Sequence, residues 1–345
     1  MMIQDRRIGA GQPCFIIGEV GSNHNQDFKL ACELIDAAKQ AGADAVKFQL
    51  FKSEKHYSRK TPPFEYLVKQ GITKNIVDLL KENELPLEWV EKLKSYAQRS
   101  GIIFFCSVTS TEDVDLADRL DLPLFKLASF EIVDLPLITY TASKGKPVII
   151  STGLANMEEI QDAFEAVHKT GNKNLILLQC ASMYPSPASI MNLKSMATLR
   201  QTFHVEVGLS DHTQGIHIAA AAVAMGATVI EKHFTMSRTL KGPDHPFAIE
   251  PHEFKRMVEH IRDVEAALGN GIKNGPSGLE QEMFTKARRS IHAIAHIPKG
   301  SVITADQLTI KRPGHGIKPK FLDQVIGKRS KIDIEEDSAI TWESI

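Results

Sequence analysis

Eight short apolar runs recur between Cys14 and His233, and segments with helical spacing separate several of them. The runs lie at 14–20, 43–50, 102–107, 124–129, 147–153 and 175–180, and in two further segments that end at Ser210 and at His233. Continuous apolar runs of this length are typical of strands that are buried on both faces. Helical spacing is found at 28–40, 87–98, 157–169, 215–225 and 252–268, and Gly42 ends the first of these segments.

This alternation indicates an α/β protein. Eight buried strands with helices between them predict a parallel (β/α)8 TIM barrel over residues 1–268. A large open, doubly wound sheet also alternates strands and helices, but the number of strands favours the closed barrel. The polar stretch 52–70 is predicted to be a long loop, and loops of that length are usually functional or disordered.

The pattern changes after residue 268. Segment 269–278 is rich in Gly, Asn and Pro, which marks the start of a linker that we extend to residue 287. Short alternating runs then follow, separated by turns such as 298–300 and 312–314. The sequence therefore predicts a barrel domain (1–268), a linker (269–287) and a small domain of short strands (288–345).

Composition and charge narrow the class of protein. The chain has 345 residues, of which 43% are hydrophobic, and a formal net charge of -1. This balance is typical of a soluble globular protein and gives no basis for binding nucleic acid. No segment resembles a signal peptide or a membrane span, so we expect a cytoplasmic protein. The four widely spaced cysteines are interpreted as small buried hydrophobic residues in a reducing compartment rather than disulfides or a zinc site.

Polar residues collect at the carboxyl ends of the predicted strands. Parallel strands end on the same side of a sheet, so these side chains should share one rim. The set is Glu19, Asn23, His24, Lys47, Gln49, Ser107, Lys126, Ser129, Glu131, Ser151, Thr152, Ser182, Tyr184, Ser210, Asp211, His212, Glu231 and His233. Two lysines beside several hydroxyls suit an anion such as a phosphate or carboxylate. Taken singly, each lysine would be a solvated rim charge and each serine a turn former.

His212 and His233 each follow a strand-like run, and the Ala-rich segment 215–225 lies between them. Two imidazoles on one rim could bind a divalent metal and leave positions open for water and substrate. The alternative is that each is a hydrogen-bonded rim residue. No phosphate loop with the Walker spacing, dinucleotide fingerprint or nucleophile elbow is present in the sequence.

Several motifs in one order resemble the sialic acid synthase family of nonulosonic acid synthases, which includes N-acetylneuraminate, legionaminate and pseudaminate synthases. They are EVGSNH (19–24), GADAVKFQ (42–49), KLASFE (126–131), STG (151–153), YP (184–185), GLSDHT (208–213), EKHF (231–234) and GPDH (242–245). The tail, with RRS (288–290) and KRPG (311–314), resembles the antifreeze-like (SAF) domain that follows the barrel in this family. The resemblance covers essentially the whole chain.

The resemblance implies condensation of phosphoenolpyruvate with the open-chain aldehyde of an N-acyl amino sugar, with C–O cleavage and release of phosphate, for surface glycans of the bacterial type. It assigns His212 and His233 to Mn2+ or another divalent ion such as Mg2+ or Co2+, and it gives Glu19 and Glu131 proton-transfer and sugar-binding roles. Phosphoenolpyruvate would be held by Lys47, Ser107, Lys126, Ser129, Ser151, Ser182 and Ser210. The sugar would be held by Gln49, Glu131, Tyr184 and Arg312. A domain-swapped homodimer follows from the resemblance, with Arg312 reaching the partner's barrel.

Three positions depart from parts of the family. Ser107 replaces a Thr, Ser182 replaces the Asn common in sialic acid synthases, and Phe130 replaces a Gly of N-acetylneuraminate synthases and is closer to pseudaminate synthases. The acceptor therefore stays open between N-acetylmannosamine and a 6-deoxy-diacetamido hexose. Two other functions are weighed: a pyruvate aldolase with Lys126 or Lys47 as Schiff-base nucleophile, and a non-catalytic glycan- or ice-binding protein built on the small domain.

Overall fold

Eight parallel strands close into a barrel in the first of two units of the chain. The computed structural model describes residues 1–69 and 71–345, without the side chains of Tyr66 and Lys69, and its units are Met1–Gly269 and Asn270–Ile345. The strands of the first unit are β1 (Met2–Ile3), β2 (Arg6–Arg7), β3 (Phe15–Gly21), β4 (Ala45–Gln49), β5 (Ile103–Ser107), β6 (Phe125–Leu127), β7 (Val148–Ser151), β8 (Leu175–Cys180), β9 (Glu206–Asp211) and β10 (Val229–His233). Strands β3 to β10 form the closed barrel, and β10 pairs with β3. The predicted TIM barrel is confirmed.

Helices connect the barrel strands. They are α1 (Phe28–Gln40), α2 (Ser53–His56), α3 (Glu65–Lys69), α4 (Ile76–Lys81), α5 (Leu87–Ser100), α6 (Thr111–Arg119), α7 (Leu135–Ser143), α8 (Met157–Lys169), α9 (Ser195–Phe203), α10 (His217–Ala224) and α11 (Pro251–Leu268). Helix α1 begins where the Asp27 side chain accepts hydrogen bonds from two backbone N–H groups. It ends before Gly42, whose φ of 88° favours glycine. All five segments with helical spacing are helical over most of their length.

The alternation of side chains along each strand builds the barrel interior in layers. At the amino end the layer is apolar and includes Phe15, Phe105, Ile149, Ile176 and Val229. The β1–β2 hairpin covers this end with Ile3 and Ile8, which pack in the same cluster. The opposite faces of the strands pack against the helices in a second, larger core. Polar interior positions are therefore confined to the carboxyl half of the barrel.

Segment 52–70 differs from the predicted loop, although Gln70 lies outside the described residues. It contains α2 and α3, and α4 follows. Leu67, Ile76, Val77 and Leu79 form their own small apolar cluster. Glu84 fixes the start of α2, because its Oε1 accepts hydrogen bonds from both the backbone N–H and the hydroxyl of Ser53, each at 2.8 Å. The polar composition gave no sign of this structure, because only Leu67 of the four buried cluster residues lies within 52–70.

The second unit has its own apolar core and short elements. They are α12 (Gln281–Ala287), β11 (Ser290–Ala293), β12 (Leu308–Lys311) and α13 (Leu322–Val325), and β11 pairs antiparallel with β12. The core includes Ile291, Ile303, Ile317 and Ile340. The carboxyl-terminal part of the predicted linker is thus the helix α12. Across the described residues of both units, no helix combines the length and apolar character that crossing a membrane requires.

Candidate active site

A cavity of about 510 Å³ lies at the carboxyl ends of the barrel strands. It brings together every barrel residue that was singled out for catalysis, substrate or metal binding: Glu19, Lys47, Gln49, Ser107, Lys126, Ser129, Glu131, Ser151, Ser182, Tyr184, Ser210, His212 and His233. Strand register accounts for this, since Glu19 is level with Lys47 and with His233 on the neighbouring strands. The cavity size suits a small ligand.

Four residues of the wider predicted rim do not line this cavity: Asn23, His24, Thr152 and Asp211. Asp211 alternates outward from the barrel, where its Oδ2 lies 2.8 Å from the Nζ of Lys232. The Thr152 hydroxyl donates to the carbonyl of Leu178, and the His24 ring stacks on Phe48 outside the cavity. None of these four had a predicted catalytic, substrate or metal role. Asp211 faces away from the interior because side chains alternate along a strand, whereas Asn23 and His24 lie in the loop beyond β3.

Two lysines and two carboxylates form a buried charged layer beneath the cavity mouth. Lys47 Nζ lies 2.7 Å from Glu19 Oε2 and 3.7 Å from Glu231 Oε1, and Lys126 Nζ lies 3.9 Å from Glu231 Oε1. Burial raises the pKa of Glu19 to about 7 even though Lys47 lowers it. Burial also lowers the pKa of Lys126. The layer is thus balanced in charge only while both carboxylates are ionised.

Hydroxyl groups surround Lys126. Its Nζ donates to Ser151 Oγ at 2.7 Å and to the carbonyl of Leu127 at 2.9 Å. Ser129 Oγ accepts from the backbone N–H of Gly153 at 2.9 Å. A Cβ at Gly153 would lie 2.7 Å from Ser129 Oγ and closer still to Ser182 Oγ, so glycine is what leaves room for both hydroxyls. Together these groups can donate several hydrogen bonds to one anion.

Glu131 lies in a 3-10 turn, Ser129–Glu131, that follows β6 directly. Its side chain is buried, and Oε2 has no hydrogen-bond partner. Burial raises the pKa of Glu131 to about 7, against the opposing charge of Lys126. A carboxyl group whose pKa lies near neutrality can both accept and donate a proton there.

His212 and His233 face each other, with ring centroids 5.4 Å apart. His212 Nδ1 lies 2.9 Å from the carbonyl of Ala181, and because a carbonyl only accepts, the neutral ring carries its lone pair on Nε2. His233 Nδ1 is buried without a hydrogen-bond partner. Burial lowers the pKa of His233 well below its usual value, and the charge of His212 adds to this. For His212, burial lowers the pKa, but Cys180, the carbonyl of Ala181 and Glu231 together outweigh it, and the pKa is raised.

The donors of this pair fit a divalent ion that is held by two imidazoles and completed by water or substrate oxygens. Within the parts of the chain that the structure describes, no group of three or more His, Cys, Asp or Glu side chains has a metal-binding arrangement. The histidine pair is therefore the set of donors that we assign to the predicted metal. The assignment of the metal itself stays a prediction.

Other cavity residues carried no predicted role. Asp244 lies with its Oδ2 3.8 Å from His233 Nδ1, and the ring of Phe247 packs 5.1 Å from that of His233. Burial raises the pKa of Asp244. Both come from the loop after β10, and the GPDH motif at 242–245 was the signal that could have pointed to them.

One wall of the cavity is apolar and comes from the segment before α5. Tyr57, Phe64, Leu67, Leu79 and Leu80 contribute to it. Tyr57 also faces the site, since burial and the nearby Glu131 raise the pKa of its phenol. The polar sequence of 52–70 did not indicate that this segment would form part of an apolar wall.

Arg312 belongs to the second unit. Its Nε donates to the carbonyl of Ala287 at 2.8 Å. The contact with a sugar that was predicted for Arg312 stays a prediction.

A polar cavity with paired charges and histidines at the carboxyl end of a closed (β/α)8 barrel defines an enzyme of the barrel class. Residues 34–273 match the NeuB family, and residues 288–345 match the SAF domain. The chain belongs to the NeuB family and carries a SAF domain at its carboxyl end.

Several relatives are named as sugar acid synthases. The chain is 40% identical over 328 residues to the N,N'-diacetyllegionaminic acid synthase of Campylobacter jejuni, with 94% of this chain and 98% of that protein covered. It is 36% identical over 329 residues to a pseudaminic acid synthase of Campylobacter jejuni, with 94% and 95% covered. The crystal structure of the N-acetylneuraminic acid (sialic acid) synthetase of Leptospira borgpetersenii with citrate superposes with a TM-score of 0.74 at 34% identity, covering 82% of this chain and 94% of that one.

Proposed function

We propose that this enzyme condenses phosphoenolpyruvate with the open-chain aldehyde of an N-acyl amino sugar to form a nonulosonic acid and phosphate. The observation that carries the proposal is the position of Lys47 and Lys126, with their serine hydroxyls, in the same cavity as the His212–His233 pair. The lysines and hydroxyls would bind phosphoenolpyruvate, and the histidine pair would hold the metal beside the sugar aldehyde. The names of the relatives support the class of product.

In the proposed reaction, C3 of the enol attacks the aldehyde carbon and forms the new C–C bond. Water then adds at C2, and the bond between C2 and the bridging oxygen breaks to release phosphate. Lys47 and Lys126 would bind and orient the phosphate and carboxylate groups and stabilise the departing charge. The hydroxyls of Ser129, Ser151 and Ser210 would donate to the same oxygens, with Ser107 and Ser182 completing the set.

Glu131 is the proposed proton acceptor for the water that adds at C2, because its pKa of about 7 and its unpartnered Oε2 suit that role. Glu19, also near 7, would hold or deliver a proton close to Lys47. His212 and His233 would hold a divalent ion, Mn2+ or alternatively Mg2+ or Co2+, which when bound polarises the aldehyde oxygen. Gln49 and Tyr184 would orient the sugar.

The apolar wall supports a 6-deoxy-diacetamido hexose over N-acetylmannosamine as the acceptor. A methyl group at C6 and a second acetamido methyl both gain from contact with Leu79 and Leu80, whereas a C6 hydroxyl would lose hydrogen bonds there.

The test is a panel of N-acylated mannosamine-type and 6-deoxy sugars with phosphoenolpyruvate and Mn2+, read by phosphate release and by product mass. Phosphoenolpyruvate labelled with 18O at the bridging oxygen should deliver the label to phosphate, since the C–O bond breaks. Absence of phosphate release with every sugar, or label retained in the sugar acid, would overturn the proposal.

A second candidate, a Schiff-base pyruvate aldolase, draws support from the lowered pKa of Lys126. Its Nζ lies 3.9 Å from Glu231 Oε1, and this carboxylate favours the charged ammonium form over the free amine that a Schiff base needs. Borohydride trapping of pyruvate on Lys126, in the presence of a chelator, would favour this candidate. The glycan-binding alternative would require sugar binding by the second unit without any phosphate release.

The proposal includes a homodimer in which Arg312 of one chain reaches the sugar in the other chain's cavity. Mixing Arg312→Ala chains with Lys47→Met chains tests this arrangement. Mixed dimers should regain activity that neither variant has alone, because one cavity would then have both an intact Lys47 and an intact partner arginine. No recovery after verified subunit exchange would contradict a role in trans.

A further inference from the structure

His245 is a fully buried histidine that joins two loops behind the active-site cavity. Its Nδ1 lies 2.6 Å from Thr235 Oγ1, in the loop after β10. Its Nε2 lies 3.0 Å from Asn25 Oδ1, in the loop between β3 and α1. His245 is not among the residues that line the cavity, so it does not touch a substrate bound there.

The hydrogen-bond network assigns one tautomer to this ring. Asn25 Oδ1 has no proton, so Nε2 must donate to it. Burial lowers the pKa of His245 to about 4, which keeps the ring neutral at physiological pH. Nδ1 then carries the lone pair and accepts from the Thr235 hydroxyl at 2.6 Å, a shorter contact than the 3.1 Å between this hydroxyl and the carbonyl of Ser237. Both nitrogens are satisfied only while the two loops keep their present spacing.

Two further side-chain hydrogen bonds connect the same loops. Ser22 Oγ donates to Asp244 Oδ2 at 3.1 Å, and Asn23 Nδ2 donates to the carbonyl of Phe234 at 3.0 Å. Gly21 permits this close approach: its φ is 56°, and a Cβ there would lie 2.8 Å from Asp244 Oδ2. The loops are therefore connected on both sides of Asp244.

These connections hold Asp244 and Phe247 against His233. Asp244 Oδ2 is 3.8 Å from His233 Nδ1, a buried nitrogen without a hydrogen-bond partner, so a small movement decides whether the two interact. The ring of Phe247 packs against the imidazole ring of His233, with centroids 5.1 Å apart. A ligand histidine is oriented by the group at its other nitrogen.

We propose that His245 is a positioning residue that fixes Asp244 and Phe247 against His233 by bridging Thr235 and Asn25. It acts through these side chains and never on the reacting atoms. Its consequence for turnover rests on the proposed function, but the bridge itself does not.

Three substitutions dissect the bridge. His245→Phe keeps the ring and removes both hydrogen bonds. His245→Gln can still donate to Asn25, and His245→Asn can still bond Thr235. The matched control is His24→Phe, since His24 is an equally buried histidine of the same β3–α1 loop that stacks on Phe48 outside the cavity.

The first readout is backbone amide exchange of a peptide covering 241–249, in protein without metal or substrate. His245→Phe should exchange there at least tenfold faster, the two partial variants less, and His24→Phe at the wild-type rate. Unchanged exchange in His245→Phe would overturn the proposal whatever the enzyme's activity proves to be.

The second readout separates positioning from general loss of stability. Both Phe variants should lower Tm, but only His245→Phe should lower kcat, by roughly 10- to 100-fold, and weaken Mn2+ binding by a similar factor, with the KM for phosphoenolpyruvate changed less than threefold. Mn2+ affinity is measured by the signal of free Mn2+ in electron paramagnetic resonance, without substrates. Equal effects of the two variants on kcat and Mn2+ would overturn the positioning role. A wild-type protein that neither binds Mn2+ nor turns over would instead contradict the proposed function, and the exchange experiment would still decide the bridge.

Discussion

Lys47 and Glu19 form an ion pair between neighbouring barrel strands, with Nζ and Oε2 2.7 Å apart and side chains 4% and 1% exposed. The pair does not keep Glu19 at an ordinary pKa, because burial outweighs the lysine and raises it to about 7. An anion that binds to Lys47 must therefore compete with a carboxylate above pH 7 but not below it. The ion pair makes the affinity of the site for anions depend on pH.

This relationship predicts how Glu19→Gln changes sulfate binding. Sulfate carries the same charge from pH 6 to pH 8, so only the protein titrates. Wild-type affinity should fall by roughly tenfold as pH rises through 7, equivalent to about 1.4 kcal/mol, because ionised Glu19 neutralises Lys47 and repels the anion. The variant should show a clearly smaller dependence, because Glu131 remains as the other cavity carboxyl group with a pKa of about 7. Calorimetric titration at several pH values measures the difference.

The exposed carboxylate of Glu33 provides the control. Glu33→Gln should keep the wild-type dependence on pH. The same slope in Glu19→Gln as in the wild type would contradict the competition between Glu19 and the anion.

Replacement of Glu131 is predicted to lower the activity of the enzyme but to raise its stability. Its pKa in the folded protein is raised from 4.5 to about 7, mainly by burial, so the folded state binds the proton more tightly than the unfolded chain. Stability must then decrease as pH rises from about 4.5 to 7 and stay lowered above 7. Glu131→Gln has no charge to bury. It should raise the free energy of unfolding by about 2–3 kcal/mol at pH 8 and change it little at pH 5, while turnover is lost.

Thermal unfolding across pH 5–8 measures this difference. Glu259→Gln, an exposed change on α11, should leave the curve of the wild type unaltered. A gain in Tm that is the same at pH 5 and pH 8 would show that the carboxylate is not the cause.

Substitution of Gly153 tests how closely the side chains of the anion site are packed. A Cβ at this position would displace the hydroxyls of Ser129 and Ser182, although the backbone conformation itself accepts alanine. Each hydroxyl lost from an anion costs about 1.4 kcal/mol, or tenfold. Gly153→Ala should therefore raise the KM for phosphoenolpyruvate by roughly 10- to 100-fold and leave the KM for the sugar within about threefold.

Steady-state kinetics with each substrate varied in turn would measure this. Gly278→Ala provides a control for a glycine with open space around it and no positive φ, outside the cavity. Equal changes in both KM values for Gly153→Ala would contradict a specific effect on the anion site.

Sequence reasoning worked where the information was local and periodic. Each barrel strand is a short apolar run, and the carboxyl ends of parallel strands must meet, so Lys47, Lys126 and Glu231 were brought together without coordinates. The same reasoning did not show that Asp211 faces away from the cavity. A position at the end of a strand does not tell whether a side chain points into or out of the barrel unless the register is known. The β6 run was read through Ser129, whereas the strand ends at Leu127 and turns so that Glu131 enters the cavity.

The missing residues come from segments that fold back over the barrel mouth. Asp244 and Phe247 follow the end of β10 by more than ten residues. Their place is explained by the hydrogen bond of Asp244 with Ser22 and by those of the neighbouring His245 with Thr235 and Asn25. The apolar wall with Tyr57 and Leu80 comes from short helices and the turns beside them, which are too brief to show a helical period. Long-range contacts of this kind depend on tertiary packing and leave no pattern in the local sequence.

The two histidines give the most direct test of the proposed chemistry. His233→Ala should abolish turnover, because it removes one of two imidazoles that would hold the metal, and should leave the fold intact, because His233 lies at the rim rather than in the apolar core. Treatment of the wild type with a chelator should have the same effect. Added Mn2+ should restore the chelated wild type and not the variant. His217→Ala, on the exposed side of α10, is the control and should behave as the wild type. Circular dichroism and Tm would establish folding, and turnover retained in His233→Ala would contradict the metal role.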